Sequence, residues 1–274
     1  MHVASEEGMT AIMKWLIAIL YCVALFSGQS QASEPTPYPD PVNETRPAVD
    51  GVNGKLSIEG GQTFGGGEAY GISGSVAMPL GHQLGLQVDG AAGTFEGSAI
   101  DDAQVFAGAA HLFWRDPSRG LLGVYGGVIH ADALNDFNVR MFGLEGASYL
   151  GRLTVEGVVG ISHTEAFGSD AFADVELAYY PDDNMRLDTG YSVVSDSHVF
   201  KLGGEWAFAG QAGAVSSAFV DGYVNDNGDG LAVAGLRFYF GQSDKSLIRR
   251  HREDDPPAYP QYPFWSAIIG GVVP

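Results

Sequence analysis

The chain has 274 residues, enough for one large all-β domain or two small domains. Its 14 Lys and Arg stand against 33 Asp and Glu, a net charge of -19, which leaves no basic face for a nucleic-acid partner. With 45% hydrophobic and 11% aromatic residues it is also too apolar to be disordered throughout.

At the N-terminus, Lys14 precedes the apolar run WLIAILYCVALF (15–26), and Ser30 and Ala32 occupy positions -3 and -1 of a small-x-small site. That order is the pattern of a secretory signal peptide, so residues 1–32 are expected to be removed after Ala32. The acidic SEEG ahead of it makes Met9 or Met13 an alternative start. The run of about 12 apolar residues falls short of the ~20 that a transmembrane helix needs. Cys22, the only cysteine, lies inside the signal behind bulky Tyr21, which does not suit a lipoprotein acceptor, and the mature chain is expected to carry no disulfide. Residues 33–51 are Pro-rich and polar and read as a periplasmic linker.

From residue 52 to 241 the texture changes to short alternating segments. Tyr70, Ile72, Val76 and Met78 oppose Gly71, Ser73, Ser75 and Ala77; Leu84, Leu86 and Val88 oppose Gln83, Gln87 and Asp89. The same period of two runs through 153–161, 173–180, 185–193 and 198–208, giving each strand an apolar and a polar face. Twelve strands are predicted at 55–64, 69–78, 83–94, 103–115, 121–131, 137–150, 153–162, 171–180, 185–194, 198–208, 213–223 and 231–240. The register of the fifth and sixth is open, because Arg140 shares a parity with Phe142 and Leu144, and ten strands is the alternative count. Tight connections alternate with mostly longer, acidic ones, and aromatic residues gather at the tight-turn ends. Trp114, Tyr149, Tyr179, Trp206, Phe208 and Tyr239 are accordingly expected in an interfacial girdle. A soluble sandwich would also alternate. Small residues beside charges on one face and the one-ended girdle favour an all-β, transmembrane, antiparallel up-and-down barrel with both ends periplasmic.

The inward parity carries Asp89, Glu156, Asp174, Glu176, Asp188 and Glu205, with Arg186, Lys201 and Arg237 as counter-charges. Such a lumen reads as a small, weakly cation-selective pore, since carboxylates favour cations. The alternative is a plugged barrel in which Arg186, Lys201 and Arg237 pair with neighbouring carboxylates, leaving a structural or surface-interaction role. An outer-rim enzyme would draw on His163 and His198, although adjacency of Ser, His and acid in sequence does not make a triad. The stretch NDNGDG (225–230) imitates part of a calcium loop, but Leu236 stands where the bidentate Glu belongs, so a hairpin turn is expected and no metal. In the tail (242–274), Lys245, Arg249, Arg250 and Arg252 balance Asp244, Glu253, Asp254 and Asp255. They read as a basic cluster set against periplasmic headgroups or polymer. The Pro- and aromatic-rich end is expected to be disordered, with folding back into the lumen or binding a partner as alternatives.

The segment GLRFYF carries a resemblance. Gly235, Phe238 and Phe240 match the G-x-x-aromatic-x-aromatic assembly signal of outer-membrane barrels, although Val233 replaces the polar residue usual before it. The wider string FYFGQSDKSLIRRHREDDPP is similar to the ending of a group of outer-membrane barrel proteins of Gram-negative bacteria. The resemblance covers about twenty residues. It implies a porin-like barrel in the outer membrane, in contact with its lipid and lipopolysaccharide, inserted by the barrel-assembly machinery, with no cofactor and no catalytic residue.

Overall fold

A computed structural model describes residues 46–96, 103–132, 137–165, 168–194, 197–209, 215–241 and 245–256. Residues 1–32, expected from sequence to be a signal peptide, lie outside these residues. Twelve strands form one closed sheet: β1 (Asn53–Thr63), β2 (Glu68–Pro79), β3 (Leu84–Glu96), β4 (Ala103–Asp116), β5 (Gly120–Asp132) and β6 (Phe137–Leu150), then β7 (Leu153–Thr164), β8 (Gly168–Asp182), β9 (Met185–Val194), β10 (Ser197–Ala209), β11 (Val215–Asn225) and β12 (Gly230–Phe240). Each strand pairs antiparallel with its sequence neighbour. β12 returns to β1 with Lys55 opposite Tyr239 and Gly61 opposite Val233. Closure leaves no edge strand and no unpaired ladder within lipid.

The alternation turns apolar side chains outward, where Ile72, Val88, Phe106, Leu122, Phe142, Val159 and Val175 are exposed. In water so much exposed apolar surface would drive aggregation; against hydrocarbon it is the expected outer wall of a transmembrane barrel. β6 settles the register left open by sequence. Val139, Met141 and Glu145 face inward, while Arg140 points out at the strand's far end, 3.9 Å from Glu165. Among the described residues, tight hairpins join the strands at the mouth where β1 begins and β12 ends, called here the terminal mouth and periplasmic in barrels of this class. The two-residue turn at 151–152 needs a left-handed first position, and Gly151 supplies it at φ 60°.

Trp114, Tyr179 and Phe208 are exposed on the outer wall near the terminal mouth, with Trp206 partly exposed beside Phe208. Tyr149 and Tyr239 do not join them: their parity turns them into the lumen, where they are buried. The tail departs from expectation as well. Instead of hanging free, residues 245–256 enter the terminal mouth and form a short helix, α1 (Leu247–Glu253), with Lys245, Arg250, Arg252, Asp254 and Asp255 all buried. The end of the Pro-rich linker packs there too. Ala48 and Val49 are buried, and Val49 joins a cluster with Ala77, Phe113 and Leu121.

Candidate functional site in the lumen

The lumen has three tiers, and the terminal mouth holds the first. Leu247 of α1 packs with Ala207 and Tyr239, and Ile248 packs with Ala178 and Tyr180. The first-turn N–H groups, which no helix satisfies itself, find acceptors on the β8–β9 turn. Leu247 N donates to Asn184 Oδ1 at 3.3 Å and Ile248 N to Asp183 O at 3.1 Å. Arg250, His251 and Arg252 occupy the last turn, where the helix dipole favours positive charge.

Arg250 and Arg252 were expected to face headgroups or periplasmic polymer; they contact the barrel wall instead. Arg252 donates to Gly151 O at 2.7 Å, Leu153 O at 3.0 Å and Thr154 Oγ1 at 3.0 Å, and its guanidinium lies over the Tyr149 ring. Arg250 lies over the Tyr239 ring. Lys245 pairs with Asp50 at 3.1 Å and Glu253 at 3.3 Å, which ties tail to linker. Arg249 keeps partial exposure and bonds Glu253 along the helix. Arg115 of β4 donates to the Ala48 and Asp254 carbonyls. Burial, with Arg186, Lys55 and Arg237 nearby, holds the His251 imidazole well below its ordinary value; burial pushes Asp254 up to about 6.

The second tier is ionic and lies mainly on β7–β12. Arg186 bonds Glu156 at 3.0 Å and also reaches Glu176. Lys201 lies 2.8 Å from Glu176 and from Asp188, and 3.7 Å from Asp221. Gly203 makes this convergence possible, because a Cβ there would sit 2.1 Å from Asp221 Oδ1 and 2.7 Å from Asp188 Oδ1. Arg237 pairs with Glu205 and donates to Ser57 Oγ at 3.0 Å; Tyr239 donates to Glu205 at 2.6 Å. On the opposite wall, His111 bridges Asp89 at 2.8 Å and Glu145 at 2.7 Å. Asp89, Glu156, Asp174, Glu176, Arg186, Asp188, Lys201 and Glu205 all face inward and are buried, and Arg237 is mostly so. Sequence reasoning missed His111 and Glu145, although His111 shares its parity with buried Phe113 and Arg115.

The third tier, toward the far mouth, is an apolar collar in place of the polar lining expected throughout. Phe95, Val105, Ile129, Val139, Met141, Val158, Phe172, Val199, Leu231 and Val233 form one buried cluster drawn from most of the strands. Outside the lumen, His163 of β7 bonds Ser169 and His198 of β10 bonds Tyr191, and among the described residues the two histidines lie on strands that do not pair with each other. Residues 225–230 make the expected turn, with Asn225 Oδ1 accepting from the N–H groups of Asn227 and Asp229. In the segment that resembles an assembly signal, Gly235 lies against the Ile58 carbonyl and Phe240 is exposed on the outer wall.

A closed twelve-strand antiparallel barrel with a lipid-compatible outer wall has the architecture of a transmembrane β-barrel. Comparison with the solved KdgM porin supports the fold. The KdgM porin superposes with a TM-score of 0.50 at 8% identity, covering 68% of this chain and 99% of the porin. An outer membrane channel from Pseudomonas putida F1 gives a TM-score of 0.49 at 14% identity, covering 73% of this chain and 98% of the channel. No family model matches the chain, and no curated protein matches it.

Proposed function

We propose that the protein is a porin-like channel with an acidic lumen, suited to small solutes and cations, which its own C-terminal segment holds shut. The observation that carries this reading is the nature of the plug. α1 is held by side-chain hydrogen bonds, a few backbone bonds to the β8–β9 turn and the linker, ion pairs and apolar contacts, and takes no part in the barrel's strand ladder. It can leave without breaking a strand pair. When it leaves, Arg250 and Arg252 go with it. The wall then keeps Asp89, Glu145, Glu156, Asp174, Glu176, Asp188, Glu205 and Asp221 against Lys55, His111, Arg115, Arg186, Lys201 and Arg237. Excess carboxylate favours cations.

The test is single-channel recording in planar bilayers of the full chain, a chain ending at Gly241, and full-length Arg252→Glu, each first shown to be folded by its heat-dependent gel mobility. The expected result is rare or no opening for the full chain and steady, cation-preferring current for the other two. A second reading, a non-conducting structural barrel, draws support from the pairing of Arg186, Lys201 and Arg237 within the wall. Folded truncated barrels without current above background would establish that reading instead.

A further inference from the structure

The terminal mouth is closed by two segments that rest on different walls. α1 meets the β6–β7 turn, β7, β8, the β8–β9 turn and β12, through Gly151, Leu153, Thr154, Tyr180, Asn184 and Tyr239. Residues 46–50, at the end of the Pro-rich linker, lie against β2, β4 and β5 instead. Val49 packs with Ala77, Phe113 and Leu121, and Ala48 N donates to His82 O in the β2–β3 turn at 2.7 Å. A sharp bend ahead of β1 brings them there. Gly51 takes a left-handed φ of 89°, and Asn53 Nδ2 donates to its carbonyl at 3.0 Å.

We infer that residues 46–50 are a latch on the tail: they hold α1 in the mouth, and α1 comes free when the linker is drawn away. Three observations carry this. First, the linker grips both ends of the helix. Asp50 lies 3.1 Å from Lys245, two residues before α1 begins, while Asp50 N donates to Glu253 O at 3.2 Å and Arg46 pairs with the Glu253 carboxylate. Second, Arg115 of β4 holds the two segments with one guanidinium, donating to the Ala48 carbonyl and to the Asp254 carbonyl. Arg115 is fully buried, so the departure of either segment strips an acceptor from a charge that water does not reach. Third, α1 has seven residues, and an isolated helix is marginal even at about 12–15. Its order in the mouth depends on what surrounds it, and the linker supplies one whole side. The latch is also the part that can be reached from outside. The Arg46 and Asp50 side chains are 41% and 46% exposed, while their partners Glu253 and Lys245 are 4% and 2% exposed. The inference rests on the plug reading only for its consequence, that drawing on the linker opens the channel.

Coupling between two docked segments is reciprocal, so displacing the tail must also loosen the linker. Two rates test this in the full chain with Cys22→Ala, each variant first shown to be folded by its heat-dependent gel mobility. The first is tryptic cleavage within 245–252, at a trypsin concentration low enough that opening is fast beside cutting. Val49→Asp, which sets a charge in the Ala77, Phe113 and Leu121 cluster, is expected to speed it at least fivefold. The milder pair Arg46→Ala with Asp50→Ala leaves that cluster intact and should speed it at least threefold. The second is labelling of Val49→Cys, at a position 1% exposed, by a small charged methanethiosulfonate. Adding Arg252→Glu, which undocks the tail, should speed labelling at least threefold. Smaller gains in both linker variants overturn the inference, and so does linker labelling that ignores Arg252→Glu. The linker would then share the mouth without holding the tail. Neither rate is a current, so the outcome is independent of the conductance test.

Discussion

Tyr180 Oη lies 2.9 Å from Nδ1 of His251, and Tyr239 Oη lies 3.1 Å from Nε2 of the same ring. One imidazole on the tail is thus clasped by hydroxyls from β8 and β12. With Glu205 3.9 Å away, it reads the terminal mouth from both sides.

Acid should loosen that clasp through His251. Burial holds the docked imidazole well below its ordinary value, near 6.5 when released, so the undocked tail binds a proton first. The contribution to docking is complete above about pH 6.5 and shrinks as pH falls from there toward the docked value. Asp254, raised to about 6 by burial, works in the opposite sense, favouring docking as pH falls through 6. Asp255 is raised too and acts the same way. The His251→Gln variant separates the two. Tryptic release of the tail, measured from pH 7.5 to 5, should rise more in the wild type than in the variant. Parallel profiles would remove His251 from the account.

Arg252 should hold the tail most firmly, through two backbone carbonyls and Thr154. Hydrogen bonds from a charged donor are worth about 1.5–3 kcal/mol each, and about 1.4 kcal/mol is a factor of ten. Arg252→Ala is expected to speed tryptic cleavage within 245–252 by at least tenfold while leaving barrel mobility on gels unchanged. Arg249→Ala, at a half-exposed site, should change it little.

Lys201→Met should destabilise the barrel itself. It strips the shared cation from Glu176, Asp188 and Asp221, and breaking a buried pair costs about 3–5 kcal/mol. The urea midpoint for unfolding should fall clearly. Arg140→Ala, which loses only a 3.9 Å pairing with Glu165 at the exposed rim, should shift it by no more than about 0.5 kcal/mol.

Ile72→Arg tests which side of the wall meets lipid. Ile72 is 47% exposed at mid-strand, and a lipid-facing Arg near the midplane costs about 2–4 kcal/mol. Folding yield into bilayers should drop. Unchanged yield and stability would contradict a lipid-facing position.

Alternation made the barrel legible, because period-two patterning fixes both the strands and the side that each residue faces. Ser75, Asp89, Glu176 and Lys201 lie buried on the inner wall for that reason. Tyr239 shows how a local cue can mislead. It shares its parity with Arg237 and so must turn inward, but the aromatic run with Phe238 and Phe240 looks like girdle. The tail was least legible. Its alternating charges resemble a solvated stretch, and their partners at Gly151, Thr154 and Tyr239 lie far away in sequence. The collar was hidden for a related reason: strands that are polar inside at mid-height become apolar inside near one end.

Docking by the tail also imposes an order on biogenesis. His251 needs Tyr180 from β8 and Tyr239 from β12 at once, and Tyr239 reaches its place only when β12 closes on β1. The segment that fills the mouth is therefore the last piece to be seated.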